Sequence, residues 1–134
     1  MDIASIQATR VFQGIARCNA ALIDLSEVVR LSPEVTAVVR GLDFRGYQTG
    51  TVIEGYVDAE LTSGKAICGW LEVRWTEEHW IIETRVLVND ATGQRTYKEF
   101  AERAPQTLDD FLVQLNDATS NLVGFLGGVD FKEV

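Results

Sequence analysis

The chain has 134 residues, of which 46% are hydrophobic and 24% charged, and a formal charge of −8. That length and balance fit one domain able to bury about two-thirds of its unfolded surface, and they exclude a mainly disordered chain. The charge is lopsided, with five acids and five bases in residues 1 to 48 but fifteen acids and seven bases in residues 49 to 134; this is the wrong sign for nucleic-acid binding and the right one for a basic protein partner.

Gln7, Arg10, Gln13 and Arg17 interrupt the first apolar stretch, which therefore does not read as a secretory leader. No apolar run approaches the roughly 20 residues that a membrane span requires. Cys18 and Cys68 have neither metal-ligand spacing nor the density of a disulfide scaffold, and they read as reduced thiols of a cytoplasmic protein.

Ala4, Ala8, Val11, Ile15, Cys18, Leu22, Leu25 and Val29 recur at intervals of four and three, an apolar seam that predicts a helix over residues 3 to 30. Such a helix is about 40 Å long and outruns a strand of ten or so residues. Either it breaks near Gly14 or Asn19, or part of it overhangs and the seam Val11, Ile15, Cys18, Leu22 and Leu25 pairs with a second copy in a homodimer, or one overlapping seam serves both purposes. Ser32-Pro33-Glu34 has the composition of a helix start, predicting a short second helix over Val35 to Arg40. The stretch from Leu42 to Gly50 reads as the connection into a sheet.

Residues 51 to 61 alternate, with Ile53, Gly55, Val57, Ala59 and Leu61 on a dry face and Val52, Glu54, Tyr56, Asp58 and Glu60 on an acidic one. Thr62-Ser63-Gly64 reads as a three-residue hairpin loop with its glycine left-handed. That loop sets Ala59 against Ile67, Val57 against Gly69, Gly55 against Leu71 and Ile53 against Val73, so the dry faces coincide. An even-numbered turn around Glu77-Glu78 then pairs Trp75 with Trp80, Val73 with Ile82 and Leu71 with Thr84. Asp90 to Gly93 turns into a polar edge strand, QRTYKEF, whose register the pattern leaves open. Thr107 with Asp109 and Asp110 starts a final helix that stops at Gly127-Gly128, and the tail after it reads as loose.

The predicted fold is α+β. It is one domain of order α(α)-ββββ-α, helical over 1 to 41, with a four-stranded antiparallel meander over 51 to 100 and a helix over 107 to 126. Gly55 and Gly69 are diagonal neighbours on the dry face, leaving it shallow where a helix approaches.

Chemistry is sparse. His79 is the only histidine and sits at a hairpin tip beside Glu77 and Glu78, a poor base for a triad and a poor start to a metal site. No nucleotide-binding glycine motif occurs, and Asn89 to Gly93 lacks the acids of a calcium loop. Neither a metal nor a cofactor is expected. Glu54, Glu72 and Glu83 share a row of the outer face and read as a solvated charged surface with arginine neighbours.

The outer face offers one distinctive row, Tyr56 beside Trp70 beside Arg85, flanked by Glu54 and Glu72. Tyr, Trp and Arg dominate binding hot spots, so the expectation is a non-catalytic interaction protein using this row, with Trp75 and Trp80 in the core. The alternative is a small-molecule binder with a cavity between sheet and helices, lined by Trp75, Trp80, Thr84 and Phe111.

Overall fold

The computed structural model describes residues 2–44 and 50–134. The seam of small and apolar residues becomes one unbroken helix, α1 (Ile3–Arg30), started by Asp2, whose carboxylate accepts the Ser5 amide at 2.8 Å. Gly14 does not break it. A Cβ at Gly14 would lie 2.7 Å from Leu112 Cδ2, so the glycine is where the C-terminal helix comes closest.

The short helix expected after Pro33 is instead a strand, β1 (Val35–Phe44). Ser32 does cap, but it caps a turn: the Val35 amide donates to the Ser32 carbonyl at 3.1 Å, with Pro33 at the second position of that turn. The Ser32 hydroxyl meanwhile donates to Glu34 at 2.9 Å. Four β-branched residues, Val35, Thr36, Val38 and Val39, then favour an extended backbone, and pairing with the next strand satisfies it. The sheet therefore has five strands, and the stretch assigned as the connection begins with the last three residues of β1. Residues 45–49 of that stretch lie outside the described residues.

Strands β2 (Thr51–Leu61), β3 (Ala66–Thr76), β4 (His79–Asp90) and β5 (Gly93–Glu99) complete an antiparallel meander in sequence order. The two central hairpins have the predicted registers, from Ile53↔Val73 to Ala59↔Ile67 and from Ile67↔Val88 to Trp75↔Trp80. Gly64, at φ +88°, takes the left-handed position of the first loop. In β5 the register slips between Thr96 and Lys98. Tyr97, the extra residue, faces the helices, with its ring centroid 6.1 Å from that of Phe125.

The last helix, α2 (Leu108–Gly127), starts at Thr107, whose hydroxyl accepts the Asp110 amide at 3.1 Å. It lies beside α1 on one face of the sheet, α1 over β1 and β2, and α2 over β3 and β4. The close approach at the paired glycines is made by side chains: Leu22 of α1 sits at Gly55, and Leu126 and Leu122 of α2 sit at Gly69. The tail is not loose. A single 3-10 turn, Phe131–Glu133, buries Phe131 in the core, and Lys65 Nζ donates to the Val134 carbonyl at 3.1 Å. Among the described residues no helix is long and apolar enough to cross a membrane.

Candidate functional site

The two faces of the sheet distribute the sequence-predicted residues differently than their roles require. On the outer face, Tyr56, Trp70 and Arg85 do form one row, continued by Gly41 at one end and Glu99 at the other. Arg85 is already stacked on Trp70, its Cζ 4.1 Å from the ring centroid. Tyr56 lies across Gly41, where a Cβ would come within 2.6 Å of the phenol oxygen. Both rings are half-buried by these neighbours.

The acidic row beside it runs Asp43, Glu54, Glu72 and Glu83 across four strands. Arg74 offsets the repulsion. Its Nη2 donates to Glu83 at 2.9 Å, its Nε approaches Glu72 at 3.1 Å as an ion pair without hydrogen-bond alignment, and Glu102 stands 3.8 Å away. Burial pushes the Glu72 carboxyl above its usual 4.5, against the pull of Arg74, and burial with the nearby Glu60 pushes Asp58 above 3.8. The Cys68 thiol, flanked by Asp58 and Glu54, is pushed up to about 12, chiefly by burial. Cys18 is buried between the helices, so the two free thiols lie in separate layers.

A carboxyl whose pKa rises on folding binds more protons in the folded chain than in the unfolded one. Its contribution is then greatest below the unfolded value and is lost as pH climbs through the folded value. Asp2 and Asp90 are lowered by hydrogen bonds and lose stabilisation only below 3.8. The urea midpoint should therefore rise as pH falls from 7 towards 5. Glu72→Gln should flatten that slope; a wild-type midpoint that falls steadily over the same interval contradicts the assignment.

The seam residues of α1 are used within the chain. Ile15, Cys18, Leu22 and Leu25 are buried in the core and Val11 packs against it. The helix does overhang: residues 3 to 10 are exposed throughout, and the large apolar side chains of this half left in water are Ile3, Ile6 and Phe12.

A concavity lined mainly by apolar and aromatic side chains lies at the end of the sheet where β3 turns into β4, on the helix side. It has a volume of about 450 Å³. Val11, Phe12 and Ile15 of α1 form one side, and Leu108 and Phe111 of α2 another. Phe44, Val52 and Ile53 from the ends of β1 and β2, and Trp75 and Trp80 from the second hairpin, complete it. Val52 reaches the cavity because it is the extra residue where the β2–β3 register slips between Thr51 and Ile53. Trp75 and Trp80 pair edge to face on the dry side, with centroids 4.8 Å apart. Trp80 packs against the core as expected, whereas Trp75, at the hairpin tip, is 36% exposed.

Polar groups converge on this cavity only at its rim, from Glu78, His79, Gln106 and Thr107. The Thr107 hydroxyl is engaged in capping α2. No cysteine, serine or lysine lines the cavity among the described residues, and the side chains of nucleophile type on its lining are Glu78, His79 and Thr107. Among the described residues no group of three or more His, Cys, Asp or Glu is placed to hold a metal ion. Thr84, expected on the lining, is buried and is not part of it. Of the lining, sequence reasoning named Trp75, Trp80 and Phe111 and missed the rest, including the α1 wall of Val11, Phe12 and Ile15; the signal for Phe44 and Val52 was hidden with β1 and with the register slip.

No protein-family model matches the chain, and no curated protein or solved structure matches it.

Proposed function

We propose that this chain is a binding protein for small, largely apolar molecules, held in the cavity between the overhanging half of α1, the start of α2 and the Trp75–Trp80 hairpin. The observation that carries this reading is the cavity itself. At about 450 Å³ it lies within the range of ligand sites, roughly 300–1,000 Å³, and like them it is walled by apolar and aromatic groups with a few polar ones at the rim. Three large apolar side chains on its lining, Phe12, Phe44 and Trp75, remain in water at 65%, 62% and 36% exposure, surface that an occupant would bury.

The outer face has less to offer a basic partner. Glu72, Glu83 and Glu102 already share Arg74, and Trp70 already lies under Arg85. A partner would first have to displace these contacts.

The neutral fluorophore N-phenyl-1-naphthylamine tests the reading. It should bind saturably, one per chain, with a blue-shifted emission. Trp75→Ala, at a partly exposed site, should weaken binding about tenfold or more, as expected when a central aromatic anchor is removed. Trp70→Ala on the opposite face should leave binding unchanged. Absence of saturation, or equal effects of the two variants, would sink the proposal.

A further inference from the structure

The cavity proposed above as a ligand site also carries a preference for the charge of its occupant, an inference that rests on that reading. Two ring pairs form its aromatic wall, set steeply to one another. Trp75 and Trp80 meet at 61°, and Trp80 and Phe111 lie 5.3 Å apart at 50°. Parallel rings leave a slot for a flat molecule. Rings at such angles do not close into a parallel slot, and the face of an aromatic ring is its electronegative part, most strongly in Trp.

The formal charge of the lining has one sign. Among the described residues of the cavity there is no Lys or Arg, Glu78 is the one carboxylate, and His79 beside it is the one lining side chain able to take up a positive charge. Glu78 is held at the rim by backbone geometry that few residues accept. Glu77 and Glu78, at φ 49° and 66°, are the two central residues of a hairpin turn that favours Asn-Gly. Two glutamates thus occupy positions where glycine would relieve strain, at the edge of an aromatic-walled cavity.

An anion in this cavity would meet no Lys or Arg from the described lining residues and would lose its hydration. A primary ammonium would lose three hydrogen bonds to water in a site with few acceptors. An alkylated ammonium has few or none to lose, and it keeps the attraction to ring faces and to a nearby carboxylate. We propose that the cavity takes a small organic cation, a tertiary or quaternary ammonium on an apolar body, with the charged end against the tryptophans and Glu78 and the body against Val11, Ile15 and Leu108.

Three probes of nearly one shape separate charge from fit: benzyltrimethylammonium, its uncharged isostere neopentylbenzene, and benzylsulfonate. Each is titrated at neutral pH against the folded chain while the indole N–H resonances of Trp75 and Trp80 are followed, with Trp70→Phe removing the third indole signal. The ammonium should bind about tenfold more tightly than the isostere, and benzylsulfonate more weakly than either. Glu78→Gln should reduce affinity for the ammonium several-fold and leave the isostere unchanged. Equal or tighter binding of neopentylbenzene, or tightest binding of the sulfonate, overturns the charge preference while leaving a ligand site in place. Failure of all three to shift either indole removes the site and the preference together. A Glu78→Gln variant that weakens both the ammonium and the isostere alike would make Glu78 a structural residue and also overturn the assignment.

Discussion

Leu22→Asp is expected to leave the chain unfolded at neutral pH. Leu22 is 1% exposed and fills the shallow spot at Gly55, its Cδ1 2.9 Å from where a Cβ on that glycine would stand. Truncation alone, as in Leu22→Ala, should cost about 3 kcal/mol through lost burial and the cavity left behind. A carboxylate there adds a buried charge without a partner, worth several kcal/mol more. The sum reaches the total stability of an ordinary domain, about 5–15 kcal/mol. Far-ultraviolet circular dichroism and the dispersion of amide resonances would show the loss directly. The Ala variant should stay folded with a lower urea midpoint. A folded, cooperative Leu22→Asp protein would mean that the α1 seam faces away from the sheet, and the helix layer described above would be wrong.

The second large effect is expected at Gly69→Val. A Cβ at Gly69 would stand 2.8 Å from Leu126 Cδ2 and 3.4 Å from Leu122 Cδ1, so a branched side chain must displace α2 from β3. Overpacking of this kind costs about 1–3 kcal/mol. The gain in strand propensity from replacing glycine offsets only about 0.5–1 kcal/mol of it. Leu126→Ala opens the space that the added isopropyl group would need. The double variant should therefore be more stable than the sum of the two single losses, with a coupling of about 1 kcal/mol or more. Strict additivity would place the contact between α2 and the sheet elsewhere.

The parts of the fold legible in the sequence were those set by local geometry and by period. Both central hairpins followed from matching dry faces, since a one-residue slip turns every apolar side chain to water. The glycine pair at 55 and 69 was legible for the same reason, as a gap in an otherwise filled face. Strand β1 was not, because Ser32-Pro33-Glu34 is equally good chemistry for a tight turn and for a helix start. Only the hydrogen bonds available along β2 decide between them. Phe131 was missed because its burial in the core is a tertiary contact of a short tail with no period of its own, which a local pattern cannot register. The candidate site was legible in Trp75, Trp80 and Phe111 alone. It exists because a helix of 28 residues, about 42 Å long, runs past the end of the sheet, and the ends of five elements meet there without filling the space. Side-chain alternation carries no record of where unequal lengths leave a gap.

The contact between Cys18 of α1 and Thr119 of α2 spans 101 residues of chain. On a ribosome adding about 5–20 residues each second, Cys18 leaves the peptidyl-transferase centre some 5–20 s before the residue that closes over it is made. The meander can form hairpin by hairpin during that interval, since each strand pairs only with its sequence neighbour. The apolar stripe of α1 has the sheet as an early cover but must wait for α2 to be sealed. The nascent chain therefore presents a greasy helix to its surroundings for most of its synthesis, and its yield in a cell depends on translation speed and on whatever shields that stripe in the meantime.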